Sequence, residues 1–564
     1  MWEDFLKPFR HGNNGSKILL TTRNENVASV FTPNNLHYRL NLLSKEDCWL
    51  LFLKHSSVST NSKQYTTLEP IGRKIVEKCK GLPLAVKTLG GLLRNKYNEG
   101  AWENILECKI WELSEDDNMI VPALRVSYHY LPSYLKRCFI YCSLFPEDYE
   151  FDKDELILLW MAEDLLQSKE NNALEKIGCQ CFFAGKFYFK HKEFGHLHKI
   201  DNKTRHLSYA TKYEDSIKLF RGAYNGAIAI HIRTFSDLTW LCYGQSIDIE
   251  SDSWLLRQQF VCLRVMSFKH FSIESLPDSI GELIHLRYLN VSNTPIVTLS
   301  ESLCKLYNLQ TLKLRNCFKL EMLPSRMQDL VNLHYLDIRG AFCLKEMPKE
   351  MSKLKHLNFL SDYIVGKHEE NGIRELGTLD NLHGSFCISN LENIKNSGEA
   401  LKAKMGNKKH INTLTLNWLP KGNIDDFQNE RDILDKLQPH ENLKELSIEG
   451  YRGETFPDWL GLSCYSNLTK LNLYFCMNSC ELPSLGQLPL YSIWRFLILP
   501  PLGLAALHLE QLYINKCPEI DCFDEKCLPQ SLETLEIKQC QKLASWITSK
   551  GLQSQGRTRL ILDQ

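Results

Sequence analysis

Only a few residues in this 564-residue chain have the type and spacing that chemistry requires. Arg23 closes a nearly unbroken apolar run, SKILLTTR (16–23), of the kind expected of a buried parallel strand. An arginine at the carboxyl end of such a strand stands where open α/β sheets bind ligands, and its guanidinium can bridge two phosphate oxygens. The loop that normally completes a phosphate site, GxxxxGK[ST], does not occur, and no apolar strand ends in paired aspartates to hold magnesium. Asp116-Asp117 and Asp425-Asp426 both lie in polar stretches. Cys179-x-Cys181 with His191, His196 and His198 invites a zinc reading, but both pairs are spaced too tightly for structural zinc, so no metal is expected. The serines, histidines and aspartates form no nucleophile elbow or catalytic dyad, and no catalytic residue is assigned.

The elements that must position these residues divide in two. From Leu263 onward one phrase recurs: Leu286-x-x-Leu289-x-Val291, Leu309-x-x-Leu312-x-Leu314, Leu333-x-x-Leu336-x-Ile338. Units start at 263, 286, 309, 333 and 357, so the steps are 23, 23, 24 and 24 residues, and the spacing returns at Leu443, Leu468, Leu509 and Leu532. This is the leucine-rich-repeat period: a short strand per unit, unable to bury its leucines alone, stacked into a solenoid with a free concave strand face. Tyr288, Tyr335 and Phe359 lie between strand leucines and point outward by alternation. They are the candidate partner contacts, since tyrosine is enriched at protein interfaces. Cys317, Cys476, Cys517 and Cys540 each follow the last strand leucine or isoleucine by three, the slot where a small side chain faces the interior. Reduced thiols in a cytoplasmic chain therefore fit better than disulfides.

Upstream the pattern turns helical. Ser44 with Asp47 three residues on predicts a capped helix over 48–54, and Pro70 is expected to begin a helix with Ile71, Ile75 and Cys79 buried. Pro83 starts another with Ala85, Leu89 and Leu92 inward, Leu135, Cys138, Phe139 and Cys142 make a helical stripe, and Asp152 caps LILLWMAEDLL. Lys+Arg and Asp+Glu are both 67, so no net field draws the chain to nucleic acid. The run 491–507 is short, carries Arg495 and is broken by Pro500-Pro501, so it is not expected to span a membrane.

Five phrases in order resemble the plant NB-ARC leucine-rich-repeat disease resistance proteins of the coiled-coil class. They are GSKILLTTR (15–23), LLSKEDCWLLF (42–52), KGLPLAVKTLGGLL (80–93), RCFIYCSLFPEDYEF (137–151) and LILLWMAEDLL (156–166). SDYIVGK (361–367), IRELGTLDNLHG (373–384) and ISNLENI (388–394) are similar to the family's repeat region. The resemblance implies an intracellular immune receptor switched by exchange of ADP for ATP, with repeats that sense a pathogen effector or a guarded host protein and hold the switch shut. It makes Arg23 the sensor arginine at the terminal phosphate, and Pro83 and Leu84 the residues packed on the adenine. Phe145-Pro146-Glu147-Asp148 falls in its winged-helix subdomain.

The fold expectation is thus multidomain: 1–45 the end of an α/β nucleotide-binding subdomain, 46–112 helical, 113–205 a partly deleted winged helix, 206–255 a connector, 256–564 the solenoid. With 22 residues before Arg23 and no Met-His-Asp motif, the chain is expected to be truncated at its N-terminus and internally deleted relative to the family. Weak nucleotide binding without hydrolysis follows. A nucleotide-independent protein-binding scaffold, or a regulator of a full-length relative, is the alternative.

Overall fold

The computed structural model describes residues 21, 38, 40–59, 64–108, 128–129, 131–145, 149–166, 188–191, 205–209, 233–237, 262–419, 427–461, 463–480, 482, 508–521, 531–550 and 559–563. Arg23 and all of its predicted strand but Thr21 lie outside the described residues, as do Cys179, Cys181, His196 and His198, Pro146–Asp148 and the 491–507 run, whereas His191 lies in a strand. The chain divides into two compact units, Met1–Pro132 and Ser133–Gln564.

The first unit is a helical cluster. Helix α1 (Lys45–Ser56) begins where Ser44 Oγ accepts the Asp47 amide at 3.1 Å, and Ser57 ends it in a left-handed conformation. Helix α2 (Tyr65–Lys78) starts five residues before Pro70, so that proline lies inside the helix rather than at its start. Ile71 and Ile75 are buried on it as expected, with Cys79 at its C-cap. Lys80 and Gly81 then adopt positive φ, which stops the helix and lets Pro83 open helix α3 (Pro83–Leu92). Asn98 caps helix α4 (Glu99–Leu106). Trp49, Phe52, Ile75, Leu89 and Trp102 share one core, with Phe52 and Trp102 edge to face at 5.4 Å. Gly72 allows that packing: a Cβ there would lie 2.7 Å from both tryptophan rings.

The second unit opens with helix α5 (Ser133–Tyr141) and helix α6 (Lys153–Ala162), the latter capped by Asp152 Oδ1 accepting the Glu155 amide at 2.7 Å. The α5 stripe differs from expectation. Cys138 and Tyr141 are buried, whereas Leu135 and Phe139 are exposed, because the i, i+3 face that continues into Leu144 and Phe145 is the one that meets α6.

Parallel strands follow in chain order. β1 (Tyr188–His191), β2 (His206–Tyr209), β3 (Thr234–Asp237), β4 (Val265–Ser267), β5 (Tyr288–Asn290), β6 (Thr311–Lys313), β7 (Tyr335–Asp337) and β8 (Phe359–Leu360) make one sheet, each strand paired with the next. β9 (Asp362–Ile364), β10 (His383–Ser389), β11 (His410–Asn417), β12 (Glu445–Glu449), β13 (Lys470–Tyr474), β14 (Gln511–Asn515), β15 (Thr534–Lys538) and β16 (Arg559–Asp563) make the second. The ladder thus reaches back through the supposed connector 206–255 and into the range assigned to the winged helix, because β1 to β3 pair in register with β4.

The strand leucines Leu289, Leu312, Leu336 and Leu360 stack inward at 0–1% exposure, and Cys317 in the first sheet's repeats and Cys476, Cys517 and Cys540 in the second's are buried free thiols of the same repeat core. Gly450, at φ +72°, turns the chain where a Cβ would stand 2.0 Å from the Trp418 carbonyl oxygen. Among the described residues no helix is long and apolar enough to cross a membrane, and no group of three or more His, Cys, Asp or Glu side chains is placed to hold a metal ion.

Candidate functional site

The site that the fold builds is a joint between α6 and the outward face of β3 to β6. The outward row runs Val265, Tyr288, Thr311, Tyr335, Phe359 in strict register. α6 lies against it, so Val265 and Tyr288 share a core with Leu158, Leu159, Ala162 and Tyr141. Tyr288 donates its hydroxyl to Glu155 Oε1 at 3.1 Å and accepts from Asn290 Nδ2 at 3.2 Å. Burial and the nearby Glu155 hold that hydroxyl in its protonated, donating form. Lys313 Nζ approaches the other Glu155 oxygen at 3.6 Å.

The C-terminal end of α6 is held by arginines that each precede a strand. A helix ends in unpaired carbonyls carrying partial negative charge, which favours cations. Arg287 Nη1 reaches the Ala162 carbonyl at 3.4 Å, and Arg264 Nη1 reaches that of Glu163 at 3.5 Å. Asp164, at φ 55°, turns out of the helix and pairs with both: Arg264 at 3.0 Å on Oδ2 and Arg287 on Oδ1. One carboxylate thus fixes two adjacent repeats.

Glu163 goes the other way, into the interior, where it is 5% exposed. Thr234 donates its hydroxyl to Glu163 Oε1, and His206 Nδ1 lies 3.0 Å from the same hydroxyl oxygen. The hydroxyl has one proton, so with Thr234 donating to Glu163 the imidazole must donate from Nδ1. Burial raises the Glu163 carboxyl above its ordinary range, opposed by the Thr234 hydrogen bond and by Arg264, Arg233 and Arg287. Burial, reinforced by Arg233, Arg264 and Arg205, lowers His206 to about 3, so its ring is neutral near pH 7.

The candidates from sequence fall into three places. Pro83 is the first residue of α3, and both it and Leu84 (52% exposed) are open on the first unit, while the partner they would share with Arg23 is not described. Tyr288 is covered by the chain's own α6. Tyr335 and Phe359 stack on each other at 4.2 Å just past the joint, with Arg339 over Phe359 at 5.6 Å and Phe359 9% exposed. Glu163, Asp164, His206, Thr234, Arg264 and Arg287 were not singled out from sequence. A faint signal was present, an arginine immediately before each of β3, β4 and β5, but nothing local links it to an acidic pair a hundred residues upstream.

A winged-helix segment docked on a leucine-rich-repeat strand face defines a class, and similarity to known proteins gives the family. The disease resistance protein winged helix domain matches residues 144–184, the NB-ARC domain residues 1–62, and the R13L1/DRL21 leucine-rich repeats residues 373–494. The chain is 38% identical over 524 residues to the disease resistance RPP13-like protein 1 of Arabidopsis thaliana, covering 86% of this chain and 49% of that protein. It is 36% identical over 488 residues to disease resistance protein RGA2 of Solanum bulbocastanum, covering 86% and 50%. A solved leucine-rich-repeat protein of Leptospira interrogans aligns with 64% of this chain and 90% of its own at TM-score 0.33 and 17% identity. The chain belongs to the plant NB-ARC leucine-rich-repeat disease resistance proteins. It spans about half the length of the curated relatives it matches.

Proposed function

We propose that this chain is the sensing part of a cytoplasmic plant immune receptor, in which the repeats restrain the winged-helix segment until a pathogen effector or guarded host protein engages them. The supporting observation is the α6 joint. An outward strand face that would otherwise be open to a partner carries a segment of the switch region, and beside the small apolar patch of Leu158, Leu159 and Ala162 on Val265 and Tyr288 the contact is made by charge-assisted hydrogen bonds. Such contacts are strong when made, yet they can be exchanged for water or for a partner's groups without exposing the solenoid interior.

The nucleotide belongs to the same reading. ADP or ATP would meet Arg23, Pro83 and Leu84, by family resemblance, and three contacts without a phosphate loop bind weakly. Melting of the chain with and without millimolar ADP and magnesium tests this: a shift of several degrees overturns weak binding. Co-expression in leaf tissue with a full-length relative tests the restraint. Arg264→Glu with Arg287→Glu should alter defence output relative to the unsubstituted chain; equal output from both leaves a nucleotide-independent binding scaffold as the function.

A further inference from the structure

Among the described residues the two parallel sheets meet at β8 and β9, which Ser361 alone separates along the chain. The segment that follows β9 does not repeat the neighbouring units. It forms a short 3-10 turn (Glu369–Asn371) and leaves a shallow crevice, open to solvent, against the segment that leads into helix α7 (Ser397–Lys402).

Its wall is set rigidly. Asn371 is 2% exposed; its side-chain oxygen accepts the His368 amide at 3.1 Å, and its carbonyl accepts the Gly366 amide at 3.0 Å. Gly366 sits so close that a Cβ there would lie 2.1 Å from the Asn371 side chain. Asn393 Nδ2 ties the other side to the Val365 carbonyl at 2.8 Å. Val365 and Ile373, both 1% exposed, form the floor.

The rim is cationic. Lys367, Arg374, Lys395 and Lys402 line the crevice against two acids, Glu369 and Glu399. Arg374 is already matched by Glu369 at 2.8 Å. Lys367, Lys395 and Lys402 have no acidic partner among the described residues, whereas nearby Lys345, Lys349 and Lys353 are each paired with a glutamate. Four cationic side chains against two carboxylates leave the crevice lining two positive charges in surplus, with no further counter-charge among its lining residues, in a chain of zero formal net charge. A compact ligand with several closely spaced negative oxygens would supply it.

We propose that this crevice binds a small molecule carrying two or more phosphate groups, held by Lys367, Lys395 and Lys402 beside the end of β9. The site is independent of the α6 joint and of the nucleotide contacts on the first unit. Occupancy would bridge the β9 loop to the α7 segment.

Isothermal titration of the full chain with inorganic tripolyphosphate, at fixed ionic strength, tests it. The unsubstituted chain should give saturable one-site binding. Lys367→Glu with Lys402→Glu should weaken it at least tenfold without changing the melting temperature of the free protein, since neither side chain has an internal partner. Lys305→Glu with Lys355→Glu, the same charge change elsewhere on the repeats, should leave it within twofold. No saturable heat, or equal weakening in both double variants, overturns the proposal and reduces the rim to diffuse surface charge. Neither result depends on the joint or on defence output.

Discussion

Replacing Asp164 should loosen α6 from the repeats while the solenoid stays folded. The residue accepts from Arg264 at 3.0 Å and from Arg287, and is about one-third exposed, its arginine partners about one-quarter. A hydrogen bond to a charged group contributes roughly 1.5–3 kcal/mol when buried, and solvent screening at this exposure reduces each to about 1 kcal/mol. The left-handed backbone at Asp164 decides which substitutions are clean. Asn tolerates that conformation and removes only the charge; Gly also tolerates it and removes both contacts. Asp164→Asn should therefore cost about 1 kcal/mol and Asp164→Gly about 2 kcal/mol of local stability. Since about 1.4 kcal/mol is tenfold in an equilibrium, amide hydrogen exchange across 156–166 should accelerate roughly fivefold and thirtyfold, while amides of β5 to β8 keep their protection. If both variants exchange α6 at the unsubstituted rate, the arginine grip does not hold the helix. Uniform acceleration over 263–360 would equally refute a local joint.

The same joint should respond to acid through His206, whose folded value of about 3 lies below the ordinary imidazole value of 6.5. The unfolded chain then binds the proton more readily, so stability is full above pH 6.5 and falls as pH drops toward 3, by about 2 kcal/mol at pH 5. Glu163, raised by burial, works in the opposite sense and contributes more as pH falls. His206→Asn should therefore flatten, or reverse, the loss in joint stability between pH 6.5 and 5, read by hydrogen exchange of 156–166. Leu336→Ala, at a fully buried strand position, should lower stability by about 2–5 kcal/mol in chemical denaturation, from lost apolar contact plus the cavity. Gly450→Ala should cost several kcal/mol by the same measurement, on the order of a buried steric clash plus positive-φ strain, whereas Gly91→Ala, where a Cβ meets nothing within 4 Å, should be neutral or mildly stabilising.

Much of the architecture was legible because it is periodic. The leucine spacing announced β4 to β8 and the later strands, and the cysteine slot was correct at Cys317, Cys476, Cys517 and Cys540. Helix starts at Ser44, Pro83 and Asp152 were readable from capping chemistry. Pro70 misled, because a proline within the second turn removes only one hydrogen bond and the helix can begin ahead of it. Strands β1 to β3 carry no leucine phrase, so their membership in the first sheet was not visible; backbone pairing needs extended geometry and not a particular side chain.

Sequence alone therefore determined the elements, the repeat architecture and the family, since these are written in short-range spacing that any stretch of chain displays by itself. Tertiary structure decided which faces remain available. Tyr288 alternates outward like Tyr335, yet it is buried because α6 returns to cover it from 133 residues away, and Asp164 meets Arg264 across 100. The crevice beside Gly366 exists only because residues 365–374 and 393–402 are brought together. Contacts of that kind join segments that share no period, so their energy depends on how the folded surfaces are brought together and leaves no regular mark along the chain.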